Sequence, residues 1–218
     1  YTLLKTFYGH CFRTTAGGTQ YGEQLGYAVA AADFNSDGFD DIAVGGPEWD
    51  DDMDRNLSPE CGNALAWSGT VHIYNGKCNE ECAGDTEKWG TIKQICGYGS
   101  YYDFGAAIDA KDVNSDGKAG ILIGQPQGTS YGRVALYRSD SCDMTDGLVV
   151  PLGGQSGSST CGAGAYPGAN CQCTAVWAGT NDDQQMGRWV DIGGDVDGDG
   201  TIDFAWGSPE MTAGGSLY

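Results

Sequence analysis

Two stretches of this chain place oxygen-bearing side chains at alternate positions. They are Asp33-Phe34-Asn35-Ser36-Asp37-Gly38-Phe39-Asp40-Asp41 and Asp195-Val196-Asp197-Gly198-Asp199-Gly200-Thr201-Ile202-Asp203. An imperfect copy runs from Asp112 to Gly120. Oxygens fall at positions 1, 3 and 5 and Gly at 6, and the two full copies add a carboxylate at 9. A hard cation such as Ca²⁺ takes six to eight oxygen ligands, and alternate residues of a tight loop point inward to supply them. Gly at 6 allows the sharp turn. The chemistry of these stretches is therefore cation binding. Ten of the 30 acidic residues lie in the three loops, so bound cations would relieve much local repulsion.

The same alternation begins an EF-hand, which also requires a bidentate Glu at position 12 and flanking helices. Position 12 here is Val44, Ile123 or Trp206, inside an apolar run. That excludes the EF-hand. Asp-Gly clusters that only make turns account for one copy but not for three with matched flanks.

The elements that position the loops repeat with them. Leu25-Gly26, Phe104-Gly105 and Met186-Gly187 each open a short apolar stretch that leads into a loop. Apolar strands follow, at Ile42-Ala43-Val44, Ile121-Leu122-Ile123 and Phe204-Ala205-Trp206, each ending in Gly-x-Pro at Pro47, Pro126 and Pro209. The period is about 80 residues, the scale of stacked supersecondary units or propeller blades. A third strand comes next, at Thr70–Tyr74, Arg133–Tyr137 and Ser216–Tyr218, where alternation in the first puts Val71 and Ile73 on one face. Asn75-Gly76 reads as a tight turn. Thr91–Cys96 and Cys173–Trp177 read as fourth strands, the latter reached through the linker-like Gly153–Gly168. Thr2–Phe7 reads as a fourth strand whose own blade is missing. No stretch keeps a helical period, so the chain is all-β.

Composition agrees. The chain has 218 residues, 40% of them apolar, and 37 glycines that suit a turn-rich fold. A net charge of −19 argues against nucleic acid as a partner. No run of about 20 apolar residues is present to span a membrane, and no signal peptide is visible. Nine cysteines point to an oxidising compartment. Cys78/Cys82 and Cys171/Cys173 have spacings and surroundings that suit zinc poorly. The odd count leaves at least one thiol free or bonded outside the chain. Asn56-Leu57-Ser58 is a glycosylation sequon, followed directly by Pro59.

The Phe-Gly openings, the D-x-[DN]-x-D-G-x-x-D loops and the Gly-x-Pro endings resemble the FG-GAP repeats of the integrin α-subunit β-propeller. The resemblance covers most of residues 22–218. It implies blades of four antiparallel strands, Ca²⁺ in the loop between the first two strands of a blade, and extracellular adhesion or recognition by a non-enzymatic protein. On this resemblance the first site comprises Asp33, Asn35, Asp37, the Phe39 carbonyl and Asp41. The last comprises Asp195, Asp197, Asp199, the Thr201 carbonyl and Asp203. The middle site has Asp112, Asn114, Asp116 and the Lys118 carbonyl, but Gly120 stands where a carboxylate is needed, so it is expected to be weaker or empty. Leu25 and Met186 depart from the Phe of the pattern, and no copy has Ala in its Gly-x-Pro.

The chain divides into an N-terminal strand (1–21), a first repeat (22–100), a second with a Gly/Ser-rich insertion (101–182) and a partial third (183–218). Propellers close with four to eight blades, and this chain supplies about three. Open sheet edges invite pairing, so a completing partner is expected. Donation of Thr2–Phe7 to a neighbouring copy would be β-strand addition, and head-to-tail contacts that do not close make filaments. The leading expectation is an extracellular, calcium-stabilised structural or adhesive protein that self-associates or binds an extracellular protein ligand. The alternatives are a lectin-like or ligand-binding propeller module, with Trp49 and Trp67 as surface aromatics, cut as a window from a longer integrin-like adhesion protein, and an enzyme's accessory domain. Trp177, Trp189 and Trp206 are expected in the core. Gly128-Thr129-Ser130-Tyr131-Gly132 matches a nucleophile elbow, but a β-like segment follows it and both histidines, His10 and His72, precede it. The acidic run Asp50–Asp54 reads as solvated loop charge.

Overall fold

The computed structural model describes residues 6–9, 11–14, 20–48, 68–77, 91–97, 103–127, 131–142, 149–151, 173–179, 185–209 and 216–217. The Asp50–Asp54 run, Trp49, Trp67, Asn56 and Gly153–Gly168 lie outside them, as does most of the Gly128–Gly132 stretch. Among the described residues there are fourteen strands: β1 (Cys11–Thr14), β2 (Gln20–Gly22), β3 (Ala28–Ala32), β4 (Asp41–Gly46), β5 (Thr70–Tyr74), β6 (Thr91–Cys96), β7 (Ala107–Lys111), β8 (Gly120–Gln125), β9 (Arg133–Tyr137), β10 (Val149–Pro151), β11 (Ala175–Ala178), β12 (Trp189–Ile192), β13 (Phe204–Ser208) and β14 (Ser216–Leu217). No helix occurs among the described residues.

The strands form propeller-type blades. Blade 1 is the antiparallel run β3-β4-β5-β6, blade 2 is β7-β8-β9-β11, and blade 3 is β12-β13-β14. Among the described residues the sheets do not close into a ring. Two features depart from the expected pattern. Blade 1 gains a fifth strand, because β10 pairs in parallel with β6 at Val149↔Gln94. At the N-terminus the expected strand at Thr2–Phe7 is not found in its described part, since Thr6–Gly9 is irregular; a separate hairpin, β1-β2, follows it instead. Phe7 stacks on Tyr74 of the chain's own first blade with ring centroids 4.2 Å apart.

Alternation along the strands decides how blades stack. In β8 Ile121 and Ile123 enter a core shared with blade 1, whereas Leu122 enters a core shared with blade 3. A strand buried on both faces reads as a continuous apolar run, as β8 does. The first core holds Phe34, Ala43, Val71, Ile73 and Ile95 of blade 1 against Ile108, Ala135 and Tyr137 of blade 2. The second holds Leu122, Val134 and Leu136 against Ile192, with Phe204 and Trp206 partly buried beside them. Each fully buried aliphatic side chain contributes about 1.5–3 kcal/mol relative to exposure.

The blades also meet through backbone. Residues preceding each aromatic- or aliphatic-Gly pair take left-handed φ (Gln24 54°, Asp103 52°, Gln185 47°), and the glycines follow at 95°, 88° and 86°. This double reversal brings the carbonyl of Gly105 against Gly45 and that of Gly187 against Gly124. A Cβ at Gly45 would lie 2.1 Å from the Gly105 oxygen, and one at Gly124 would lie 2.0 Å from the Gly187 oxygen. Only glycine permits that approach. The Gly of Gly-x-Pro is thus a packing requirement between blades.

Candidate metal centre

Each acidic loop joins the first two strands of its blade: β3 ends at Ala32, opposite Asp41, and β7 ends at Lys111, opposite Gly120. The loops turn through a left-handed residue at position 4 (Ser36 60°, Ser115 59°, Gly198 82°) and again at position 6 (Gly38 84°, Gly117 82°, Gly200 90°). The demand at position 4 was not read from the sequence, although Gly198 at that place in the third copy was its signal.

Side-chain oxygens then converge on the loop's own amides. The first carboxylate spans the turn. Asp33 accepts from the N–H of Asp37 (3.2 Å) and Gly38 (2.8 Å), Asp112 from Asp116 (3.3 Å) and Gly117 (2.9 Å), and Asp195 from Gly198 (2.6 Å) and Gly200 (2.8 Å). At position 3, Asn35 Oδ1 accepts from Asp37 N (2.9 Å) and Asp197 Oδ1 from Asp199 N (3.0 Å). At position 5, Asp37, Asp116 and Asp199 accept from the N–H of Phe39, Lys118 and Thr201 at 3.0, 2.9 and 2.7 Å. Position 9 closes the loop, with Asp41 Oδ2 accepting from Phe34 N (3.1 Å) and Asp203 Oδ2 from Val196 N (2.7 Å).

The electrostatics differ from copy to copy. Asp41 is fully buried, and that burial pushes its carboxyl up. Bonds from Gly76 N and Phe34 N oppose the rise, while Asp37 and Asp33 add to it. Asp116 is lowered chiefly by the Ser139 hydroxyl, and Asp199 by the hydroxyl and N–H of Thr201. Carboxylate oxygens of Asp195, Asp197 and Asp203 lie within 4.8 Å of one another. Three anionic groups that close repel unless a cation or protons sit between them. The donor set therefore fits a hard divalent cation. In the first loop Asn35 replaces one of these carboxylates by a neutral carbonyl, which keeps the oxygen and lowers the charge.

The middle loop is built differently. Gly120 opens β8 against the third strand of its blade, and a Cβ there would lie 2.8 Å from the Tyr137 oxygen. No carboxylate fits at that position. Ser139, which sequence reading overlooked, approaches the loop instead, donating to Asp116 Oδ2 at 2.5 Å and Asn114 Oδ1 at 3.4 Å. In blade 1 the matching residue is Gly76, whose N–H donates to Asp41 Oδ1 at 2.9 Å. Both residues lie six positions after the first residue of the third strand, so the exchange was legible by aligning the repeats. In blade 1, where position 9 has its carboxylate, the turn residue donates a backbone N–H to it; in blade 2, where it does not, a hydroxyl reaches position 5.

Trp177 and Trp206 pack together at 4.8 Å between ring centroids in the second core. Trp189, expected in the core, is 64% exposed, because its face of blade 3 meets no further blade in the described structure.

Stacked antiparallel blades, each carrying an acidic loop between its first two strands, define a propeller-blade repeat whose loop has the donor set of a cation site. Residues 25–74 match the FG-GAP repeat, in support of the resemblance carried by the motifs. Among similar proteins, integrin alpha-PS2 of Drosophila melanogaster is 33% identical over 122 residues, which is 55% of this chain and 8% of that protein. Integrin alpha-6 of Gallus gallus is 36% identical over 115 residues, 52% of this chain and 9% of that protein. Phosphatidylinositol-glycan-specific phospholipase D of Bos taurus is 30% identical over 128 residues, 57% and 13% respectively. The chain thus matches only a small part of each relative's length.

Proposed function

We propose that this chain is an extracellular adhesive or structural module whose blades are clipped by Ca²⁺ at the first and third acidic loops. The observation that carries the reading is the convergence of Asp195, Asp197 and Asp203 in a loop that is repeated at the same place in the first blade. When bound, the ion supplies a positive charge that lets these carboxylates sit together. In the third loop Asp195, Asp197, Asp199, the Thr201 carbonyl and Asp203 hold it; in the first, Asp33, Asn35, Asp37, the Phe39 carbonyl and Asp41. Asp112, Asn114, Asp116 and the Lys118 carbonyl form a weaker site, because Gly120 contributes nothing and fewer charged ligands lower affinity. Similarity to integrin α chains supports a protein ligand as the partner. Disulfide bonds at Cys96, Cys142 and Cys173 support an oxidising, extracellular setting, where Asn56 is the glycosylation site. The repeat boundaries at residues 22, 101 and 183 belong to the same reading.

Head-to-tail assembly completes the proposal, since blade 3 has three described strands and an extended segment from a neighbouring copy can add the fourth. The test is attachment of cells to a surface coated with the chain. Attachment that is lost in chelator and restored by Ca²⁺ supports the module; attachment indifferent to chelator refutes the calcium-clipped reading. The similarity to phospholipase D favours one second reading, an accessory module within a longer enzyme. Phospholipase activity in the same natural polypeptide would establish it. A glycan-binding role resting on Trp49 and Trp67 is tested by a glycan array with Trp49→Ala and Trp67→Ala.

A further inference from the structure

The first two acidic loops touch each other across the boundary between blades 1 and 2. Ala119, position 8 of the middle loop, donates its N–H to the Asp33 carbonyl of the first loop at 2.8 Å. Beside this bond, a Cβ added at Gly117 would lie 3.4 Å from the Ser36 hydroxyl oxygen, so the two turns lie close together.

The Asp33 carbonyl shares one rigid peptide plane with the Phe34 N–H, and in a trans peptide the two groups point in opposite directions. That N–H is taken by Asp41 Oδ2 at 3.1 Å. The plane therefore runs from the position-9 carboxylate of the first loop to the backbone of the middle loop. Its flanks are fixed as well. On one side the Asp33 carboxylate accepts from the N–H groups of Asp37 and Gly38. On the other the Phe34 ring is fully buried in the core between blades 1 and 2, which also holds Ala119.

The donor is held in place by its own blade. Lys118 N–H goes to Asp116 Oδ1 at 2.9 Å, Asp116 Oδ2 takes the Ser139 hydroxyl, and Gly120 begins β8 close against the Tyr137 carbonyl. Ala119, between them, is 2% exposed. A shift of the 33–34 plane therefore lengthens or breaks this one bond. The next boundary is built from side chains. Between blades 2 and 3, Asp109 Oδ2 accepts the N–H of Ile192 at 2.6 Å, and Lys111 Nζ donates to the Gly193 carbonyl at 2.8 Å. Gly120 also has no carboxylate to offer the Val113 N–H.

Granted the calcium reading of the first loop, on which this rests, we propose that its cation fastens blade 1 to blade 2 through the Asp33–Phe34 peptide. Asp33 and Asp41 hold the two ends of that plane, and both are drawn to the ion. Together they keep the Asp33 carbonyl aimed at the Ala119 N–H. An empty loop leaves that aim to hydrogen bonds alone. Coupling of this kind is reciprocal, so the seating of the middle loop in turn raises the first loop's affinity.

Backbone amide exchange, read residue by residue by NMR on the full chain through a Ca²⁺ titration, tests the coupling. The Gly38 N–H reports the state of the first loop, and the Gly200 N–H that of the third. Exchange at Ala119 should slow by at least about 5-fold, the lower end of typical coupling between linked sites, at the same Ca²⁺ midpoint as Gly38. Asp37→Asn keeps an acceptor for the Phe39 N–H but removes a charged ligand, so it should carry both midpoints together to higher Ca²⁺. Asp116→Asn makes the same change in the middle loop, and there the two midpoints should stay equal to each other. Melting in chelator checks that each variant folds. Ala119 exchange that ignores Ca²⁺ while Gly38 responds overturns the proposal. So does an Ala119 response that keeps its wild-type midpoint in Asp37→Asn. A response that Asp116→Asn abolishes, or parts from that of Gly38, overturns it too, because Ala119 then follows an ion in its own loop. If Gly38 and Gly200 both ignore Ca²⁺, the calcium reading itself has failed and the coupling falls with it.

Discussion

Asp203→Ala removes the carboxylate that closes the third loop, and its effect on stability should depend on calcium. Without Ca²⁺ two changes oppose each other. The N–H of Val196 loses a 2.7 Å acceptor, which costs about 0.5–1.5 kcal/mol or less at an exposed site. Against this, Asp195 and Asp197 lose an anion whose oxygen lies within 4.8 Å of theirs. The net change in the absence of metal should be under about 1 kcal/mol. With Ca²⁺ at about 100 times its dissociation constant, an occupied site stabilises the fold by about 2.7 kcal/mol. For a chain of this size each kcal/mol shifts the melting temperature by roughly 2–4 °C. The third site should thus account for about 5–10 °C of the Ca²⁺-induced rise, and Asp203→Ala should lose most of that share. Thermal unfolding followed by circular dichroism, in chelator and in Ca²⁺, measures both terms. Gly120→Asp provides the contrast, because its Cβ lies 2.8 Å from the Tyr137 oxygen and introduces strain of about 1–3 kcal/mol without adding a ligand. If Asp203→Ala keeps the full Ca²⁺-dependent rise, the assignment of the third loop as a cation site is wrong.

Two further outcomes follow from packing and titration. Leu122→Ala should destabilise the chain by about 2–5 kcal/mol, because this fully buried side chain fills the core between blades 2 and 3; a loss under 1 kcal/mol in a urea titration would contradict that stacking. Asp103 has its carboxyl raised above 3.8 by burial first and by Glu48 second, against opposing contributions from Gln127 and Arg188. A raised carboxyl stabilises the fold fully below pH 3.8 and loses that contribution as pH rises through its folded value. Asp103→Asn, which suits the left-handed φ of 52°, should therefore melt higher than wild type at pH 7 in chelator, with the gap closing below pH 3.8. A gap that widens toward acid would reverse the assigned sign.

The acidic loops and the strands that flank them were legible in the chain because their causes are local. Alternate oxygens with Gly at position 6 specify a turn, and apolar alternation specifies a strand, so Thr70–Tyr74, Thr91–Cys96 and Arg133–Tyr137 coincide with β5, β6 and β9. Gly120 was legible as a missing carboxylate, but its cause was not: the carbonyl of Tyr137 passes too close for any side chain, a contact between strands 17 residues apart. Ser139 was missed because its role depends on the turn after β9 reaching the loop before β8. The position of Trp189 was misjudged because an apolar residue on a strand is buried only if a second layer covers it, and no local pattern reports whether the next blade exists. The parallel addition of β10 to β6 likewise depends on a long-range return of the chain past the second blade's third strand. Sequence alone determined the loops, the blade strands beside them and their period, because each is a property of a few neighbouring residues. Tertiary structure decided which faces of the described blades are covered and which are exposed, because burial belongs to pairs of surfaces and not to the residues that form them.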